Sequence, residues 1–313
     1  MSQRIHSFFQ PRLSQKTAEI LLASVIIARS TSFIFNKLGV GEMSIFNLIA
    51  LRYLAAFSIL LIPFHSRLKG LRLRTVLTSA LLSGIFFLIM MAELTGLKTA
   101  DSSVICFLEN SAVVFVPLVS SLLACRLPAP AVLLSSGTAL AGVFLLTARS
   151  GIHSLGTGEA FGILAALFYT AYIIITARMV PEKEAFQIGI LQNGFLGLYG
   201  LGAAFVTGTA RLPHSRLELV CILMLAIVCS AFGLTLQPVA QSHTTAERAG
   251  LFCALSPVSA SLLGFVFLHE KPGIAGLIGA ALILFSIFIP RLASRMPAKA
   301  ARLLPRRPAA GNI

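Results

Sequence analysis

Apolar residues occur in this chain as ten long blocks separated by short polar segments. Each block approaches the roughly 20 residues that a membrane-crossing helix needs, and the blocks are too long for the strands of a membrane barrel. Because lipid offers no partners to unpaired backbone groups, helices are expected throughout. The pattern predicts an all-α polytopic membrane protein with ten transmembrane helices, near residues 18–37, 44–64, 73–95, 102–124, 129–148, 158–178, 186–209, 218–240, 247–269 and 273–290.

Composition agrees with this prediction. Of the 313 residues, 57% are hydrophobic and 12% are charged, whereas soluble domains have roughly 45–50% and about 25%. Soluble, disordered and fibrous proteins are thereby excluded. The polar segment 1–17 and the missing small-residue cleavage site favour a retained first span over a signal peptide.

The distribution of basic residues predicts the orientation. Seventeen Lys and Arg lie in segments on the side of the N-terminus and six on the opposite side. The positive-inside rule then places both termini in the cytoplasm, and we expect the plasma membrane, the inner one in a bacterium. The net charge of +14 therefore indicates contact with the lipid bilayer and not with nucleic acid, and the basic tail 291–313 is suited to anionic lipid.

The five cysteines do not predict a disulfide or a metal site. No CxxC or Cys/His pair has ligand spacing, so we interpret them as small residues of the membrane core. We expect no metal and no cofactor. No Walker-type phosphate loop is present either.

The two halves of the chain resemble each other weakly. When the halves are aligned, Pro128 corresponds to Pro272 at an offset of 144 residues, and Phe46 corresponds to Phe186 at an offset of 140. Each half holds five predicted spans, an odd number, so the second half would enter the membrane from the opposite side. Inverted repeats of this kind are typical of secondary transporters. The predicted organisation is an N-terminus (1–17), a first repeat (18–148), a linker (149–157), a second repeat (158–290) and the tail (291–313).

Several motifs resemble EamA-type members of the drug/metabolite transporter superfamily. They are Ala50-Leu-Arg52-Tyr, the segment around Pro117, and above all Arg248-Ala-Gly-Leu-Phe-Cys-Ala-Leu-Ser-Pro257 with its Leu268-His-Glu270-Lys continuation. The resemblance implies ten helices in inverted five-helix repeats, a central cavity and transport of small organic solutes. Many members of the family export amino acids, other metabolites or drugs.

Two positions depart from the family pattern. Arg29-Ser30 stands where the family usually has Trp-Gly, and Cys125-Arg126 stands where it usually has Gly-Glu. The second change affects a loop end. The first introduces a charge at membrane depth and suggests an altered substrate.

Four ionisable residues lie well inside predicted spans, namely Arg29, Arg52, Glu93 and Glu109. A charge at the bilayer centre costs at least about 2.5–3.5 kcal/mol, so such residues usually face a cavity or a partner. Their formal sum of zero suits mutual pairing within the first half. The matching second-half positions, Tyr169, Gln192 and Gln237, are polar and uncharged, which predicts a cavity with one charged and one hydrogen-bonding face.

Structural roles for these residues stay open. Arg52 suits a permanent lock as well as a substrate contact, and Glu93 lies near the outer end of its span, where solvation is an alternative. Glu109, beside Asn110, is the favoured candidate for meeting substrate or a coupling proton. Pro117 and Pro257 are candidate hinges, although packing kinks are the commoner role of such prolines.

We therefore expect a secondary active transporter that exports a small organic metabolite, such as an amino acid or a related zwitterionic or amphiphilic compound, by alternating access, with energy from a proton gradient. Arg29, Arg52 and Glu109 would bind its charged groups, and hydrogen bonds would come from Tyr172, Gln192, Asn193 and Gln237. The alternatives are a membrane-embedded enzyme, such as a lipid-modifying transferase, and a non-transporting scaffold. Glycines of span 10 permit close packing within the chain or in a homodimer.

Overall fold

The computed structural model describes residues 14–100, 102–125, 127–147, 156–259, 262 and 274–295. All regular elements in these ranges are helical, and we number them in chain order. They are α1 (Gln15–Ser30), α2 (Ser32–Glu42), α3 (Ile45–Phe64), α4 (Leu73–Thr99), α5 (Ser102–Asn110), α6 (Ala112–Leu123), α7 (Pro130–Thr147), α8 (Thr157–Met179), α9 (Ala185–Val206), α10 (Arg216–Met224), the π-helical α11 (Leu225–Leu234), α12 (Thr235–Gln241), α13 (Ala246–Cys253) and α14 (Ile274–Arg295).

Hydropathy located the helices well. Within the described ranges, seven helices are long and apolar enough to cross a membrane, and each coincides with a predicted span. Two shorter apolar helices, Pro130–Leu145 and Ile274–Pro290, lie at the fifth and tenth predicted spans. The ninth, predicted over 247–269, begins with α13 and continues as helix over 255–259, and most of its remainder lies outside the described residues. The predicted N-terminal segment, linker and basic tail also lie wholly or mostly outside them.

Local sequence explains where several helices begin and end. The hydroxyls of Ser14, Ser215 and Thr245 each accept a hydrogen bond from the backbone N–H three residues ahead, which satisfies a donor that the first helical turn leaves unpaired. Gly70 and Gly208 adopt positive φ angles of 71° and 64° in the loops after α3 and α9, a conformation that glycine adopts without steric cost.

Three of the described spans are interrupted. The first breaks at Thr31, between α1 and α2, and the other two break at positions other than their prolines. The fourth breaks at Ser111, between α5 and α6, while Pro117 lies inside α6. The ninth breaks at Ala254, and Pro257 lies in the first turn of the helical segment that follows. A proline needs no N–H there, so Pro257 fits without a kink of its own. The role of either proline as a hinge stays a prediction.

Large apolar side chains face outward and polar ones face inward. Ile62, Leu122 and Ile274 are among many that are mostly exposed, whereas Asn36, Gln192 and other polar groups are fully buried. Soluble proteins rarely expose apolar surface on this scale, but a lipid-facing surface requires it. The chain is an integral membrane protein.

Glycines allow the closest helix contacts. A Cβ on Gly142 of α7 would lie 2.7 Å from the carbonyl oxygen of Gly279 in α14, and one on Gly189 of α9 would lie 2.1 Å from that of Thr235 in α12. Gly279 thus packs within the chain. Four cysteines are buried as predicted, but Cys125 is exposed in the turn after α6, with φ 47°.

A polar cluster joins the loop after α9 to the start of α3. The guanidinium of Arg211 donates to both carboxylate oxygens of Glu218, at 3.1 and 2.5 Å, and to the Glu42 carbonyl at 2.9 Å. The hydrogen bonds to Glu218 raise the pKa of Arg211. Asn47 exchanges hydrogen bonds with the Arg211 backbone, which ties the two halves of the chain together at this end.

Candidate functional site

Several of the polar residues at membrane depth line a small cavity between the helices. We call it the central cavity; its polar lining comprises Arg29, Ser32, Glu93, Glu109, Asn110, Tyr169, Cys253 and Ser256. Its volume of about 20 Å³ is enough for about one or two water molecules. These side chains come from α1, α2, α4, α5, α8, α13 and the segment after α13, so both halves of the chain contribute.

Arg29 spans the central cavity from the first half to the second. Its Nη1 donates to the Tyr169 hydroxyl at 3.1 Å and to Oε1 of Gln237. The guanidinium also lies over the rings of Phe86 and Tyr169, 5.1 and 5.5 Å from their centroids. Such cation–π contacts, each about 0.5–2 kcal/mol, help to hold the charge in place.

The sequence around Gly233 makes room for this arginine. A Cβ at that position would lie 2.5 Å from Cγ of Arg29, so any larger residue would displace the side chain. Gly233 belongs to the π-helical segment α11, and π-turns occur frequently at functional sites. The arginine that departs from the family pattern is therefore accommodated by the helix that it contacts.

Arg52 lies at the centre of a second, fully buried network. Its Nε donates to Ser230 at 2.8 Å and its Nη1 to Oδ1 of Asn36 at 3.1 Å, while Nδ2 of Asn36 donates to Glu93 at 2.9 Å. Arg52 is only 4% exposed, and its guanidinium lies 4.8 Å from the ring centroid of Tyr53. This arginine reaches Glu93 through an amide and does not contact the central cavity.

The predicted pairing of the four charges within the first half is wrong. Among the described residues, neither arginine lies within 4 Å of a Glu93 or Glu109 oxygen in an ion pair; the arginines instead donate to uncharged groups, largely in the second half. A sum of charges ignores helix geometry. The asparagine on α2 and the polar residues on α8, α11 and α12 lie closer to the arginines than the carboxylates do.

Glu109 has an unsatisfied oxygen. The side chain is 4% exposed, and its Oε2 has no hydrogen-bond partner within the described part of the chain. The carboxyl group of Glu93 lines the same cavity, and the two carboxyl groups interact electrostatically. Glu93 is 2% exposed, which removes the alternative that it is solvated at the end of its span.

The remaining predicted site residues contribute less directly to the central cavity. Asn110 lines the cavity, but its amide donates to the carbonyl of Cys106 at 2.7 Å, in its own helix. Tyr172 and Gln192 bond each other at 3.3–3.4 Å, and Asn193 donates to Thr235 at 3.0 Å. None of these last three lines the cavity. They connect α8 with α9 and α9 with α12.

The structure brings to the site residues outside the predicted set of binding residues. Ser32, Cys253 and Ser256 line the cavity, Asn36 and Ser230 bind Arg52, and Tyr169, predicted only on the hydrogen-bonding face, contacts Arg29 directly. A signal for Tyr169 existed, because the offset of 140 residues pairs it with Arg29, which it contacts. Asn36 and Ser230 lie on polar helix stripes, a pattern that also serves helix packing.

Nothing in the described ranges suggests a metal centre, since no group of three His, Cys, Asp or Glu lies close enough to hold an ion. The arrangement is suited to noncovalent binding. It offers a cation, an unsatisfied carboxylate oxygen and hydroxyl, amide and thiol groups around one small space.

Comparisons with known proteins find similarity to transporters. The sequence model of the EamA-like transporter family matches residues 156–290. Two proteins of Archaeoglobus fulgidus, each named an uncharacterized transporter, are 25% and 24% identical to this chain over 293 and 277 residues. The alignments cover 88% and 87% of this chain and 98% and 94% of the relatives.

A solved crystal structure supports the fold. It superposes with a TM-score of 0.75, covers 91% of this chain and 100% of its own, and shares 18% sequence identity, which bears on fold alone. The family match over residues 156–290 and the two relatives show that this chain is similar to EamA-like transporters.

Proposed function

We propose that the chain is a secondary active transporter that exports a small zwitterionic or amphiphilic metabolite, such as an amino acid, by alternating access driven by a proton gradient. One observation carries the proposal, namely that Arg29 and the unsatisfied Glu109 carboxyl group line the same cavity. A molecule carrying both an anionic and a cationic group would complement both.

The two charged groups suit the two ends of a zwitterion. A buried acceptor without a partner costs about 1–3 kcal/mol, and a substrate ammonium donating to Oε2 of Glu109 would remove that cost. The substrate carboxylate would accept hydrogen bonds from the guanidinium of Arg29. In the described part of the chain, this guanidinium donates its hydrogen bonds from Nη1. Arg52 has a structural role in this proposal, because its bonds run to Ser230 and Asn36.

Proton coupling is assigned to the carboxyl groups of Glu93 and Glu109, which line the same cavity. Two carboxylates in one buried site repel each other, so such a pair is suited to taking up and releasing a proton as the surroundings change. An arriving ammonium would favour the release of that proton. This exchange links substrate movement to proton movement in the opposite direction.

Helix packing supports the proposed inverted repeats. If a two-fold rotation exchanges the halves, each contact between two helices has a counterpart elsewhere in the chain. The contact of α1 with α11 corresponds to that of α8 with α4, and the contact of α3 with α11 corresponds to that of α9 with α4. All four contacts are present. Three further contacts would be unchanged by this rotation and are also present, namely α3 with α9, α6 with α13 and α7 with α14. Both termini would lie in the cytoplasm, as the basic residues predict.

The first experiment is a thermal-shift screen of the detergent-purified protein. Amino acids, amines, nucleosides and organic anions are tested near pH 6 and near pH 8, with unfolding followed by light scattering. A ligand at 100 times its Kd stabilises the folded state by about 2.7 kcal/mol. We expect amino acids to stabilise the wild type, and this stabilisation to be lost in Glu109→Gln and Arg29→Gln.

The matched controls are Glu42→Gln and Arg74→Gln, whose side chains are exposed; both should keep the shift. A hit in proteoliposomes should then be transported faster with an imposed pH gradient, and Glu109→Gln should lose that acceleration. Stabilisation by amines or nucleosides alone, or amino-acid binding that survives both site variants, would refute the proposed substrate and site.

A further inference from the structure

The Tyr169 hydroxyl is surrounded in a way that leaves it one role toward a ligand. An arginine can only donate hydrogen bonds, so the Gln237 atom facing Arg29 is its carbonyl oxygen. The NH₂ of Gln237 then donates to the Tyr169 oxygen at 3.4 Å, and Nη1 of Arg29 donates to the same oxygen at 3.1 Å. Both acceptor positions of the hydroxyl are thereby used.

The proton of Tyr169 has only a weak acceptor. Sγ of Cys253 lies 3.6 Å from the Tyr169 oxygen and 3.3 Å from the Ala249 carbonyl oxygen. A thiol has one hydrogen, and when it donates that hydrogen to the nearer Ala249 carbonyl, Sγ can only accept from Tyr169. Sulfur accepts hydrogen bonds poorly. Tyr169 is 4% exposed and lines the central cavity, so its O–H is a buried donor that a better acceptor in the cavity would capture.

We infer that Tyr169 is a specificity-determining residue of the transporter, donating its O–H to the substrate's carboxylate beside the guanidinium of Arg29. Gln237 is the positioning residue, because its amide binds both of them. The inference rests on the proposed function and adds to it a residue and a substrate group. Beside Arg29, the cavity selects a carboxylate over an uncharged amide, because the NH₂ group of an amide would face two hydrogen-bond donors, Tyr169 and Arg29.

The test compares amino acids with their carboxamides. The twenty L-amino acids are screened by thermal shift, and Kd is then measured by titration for each one that binds and for its carboxamide. In Tyr169→Phe, which keeps the ring and its contact with Arg29, we expect the Kd of the amino acid to rise about tenfold, as for a lost hydrogen bond to a charged group. The Kd of the carboxamide should change by less than about threefold.

Tyr199→Phe is the matched control, because that hydroxyl donates to the Ala80 carbonyl at 3.2 Å, away from the cavity. It should leave both dissociation constants and their ratio unchanged. The ratio is measured within one folded variant, so a general loss of stability does not produce the expected result. If Tyr169→Phe binds amino acids as tightly as the wild type, the inference is overturned while the proposed function stands.

Another result would support the role of Tyr169 and refute the zwitterionic substrate. If no amino acid binds, acetate, lactate and succinate are titrated in the same way. Tyr169-dependent binding of these carboxylates would support the carboxylate site and refute the zwitterionic substrate. Absence of any carboxylate binding to the wild type would overturn the inference.

Discussion

Replacing Gly189 by alanine tests the closest helix contact in the structure. The added Cβ would lie 2.1 Å from the carbonyl oxygen of Thr235 and 2.8 Å from its C and Cα atoms. These are backbone atoms and cannot rotate away. Since ordinary contacts begin near 3.4 Å, α9 and α12 would have to separate by roughly 1 Å in a close-packed interior.

The net effect combines two opposing terms. Overpacking costs about 1–3 kcal/mol, whereas alanine in a helix is favoured over glycine by about 0.5–1 kcal/mol. We therefore expect Gly189→Ala to lower the free energy of unfolding by about 1–2 kcal/mol. Gly202 lies in the same helix with nothing within 4 Å of its added Cβ, so Gly202→Ala should raise the free energy of unfolding by about 0.5–1 kcal/mol.

The cysteines provide the assay. The chain has no tryptophan, but its four buried thiols become reactive on unfolding, and a thiol-reactive fluorophore reports that exposure on heating. The exposed Cys125 is replaced by serine in every variant to remove its background. At roughly 2 °C per kcal/mol for a chain of this size, the two variants should differ by several degrees. Equal midpoints for Gly189→Ala and Gly202→Ala would refute the packing argument.

Two further changes are tested in the same assay. Arg52→Gln removes charged hydrogen bonds to Ser230 and Asn36 and should destabilise the protein by about 3 kcal/mol, whereas Arg74→Gln, an exposed arginine, should have little effect; equal midpoints would show that Arg52 is not the structural lock. Gly142→Ala places a Cβ 2.7 Å from a carbonyl oxygen of α14 and should also lower the midpoint, and an unchanged midpoint would contradict that close approach.

Hydropathy predicted the helix positions because lipid leaves few alternatives. A backbone in hydrocarbon must satisfy its own hydrogen bonds, so each apolar block of sufficient length is helical. The interruptions were not predictable in the same way. Proline suggested breaks at Pro117 and Pro257, but the helices break at Ser111 and Ala254, and the first span breaks at Thr31, where the sequence has no proline.

The charged site residues were recognisable because burying them costs free energy. That cost marks Glu93, Glu109 and Arg29 in the sequence without revealing their partners. Asn36 gave no comparable signal, since a polar side chain at membrane depth is inexpensive and common at helix contacts. Its role depends on lying between Arg52 and Glu93, a relation among three helices that no local pattern contains.

The location of the arginines' partners bears on how the halves move. Both cations belong to the first half, and each donates to the second, Arg29 to Tyr169 and Gln237 and Arg52 to Ser230. If the halves rock against each other, these hydrogen bonds must break or move with the groups that they join. A substrate carboxylate that takes over Arg29 would weaken its bonds to the second half while leaving those of Arg52 in place. Substrate occupancy would thereby lower the cost of moving the halves at the cavity, and the buried network around Arg52 would keep them in register.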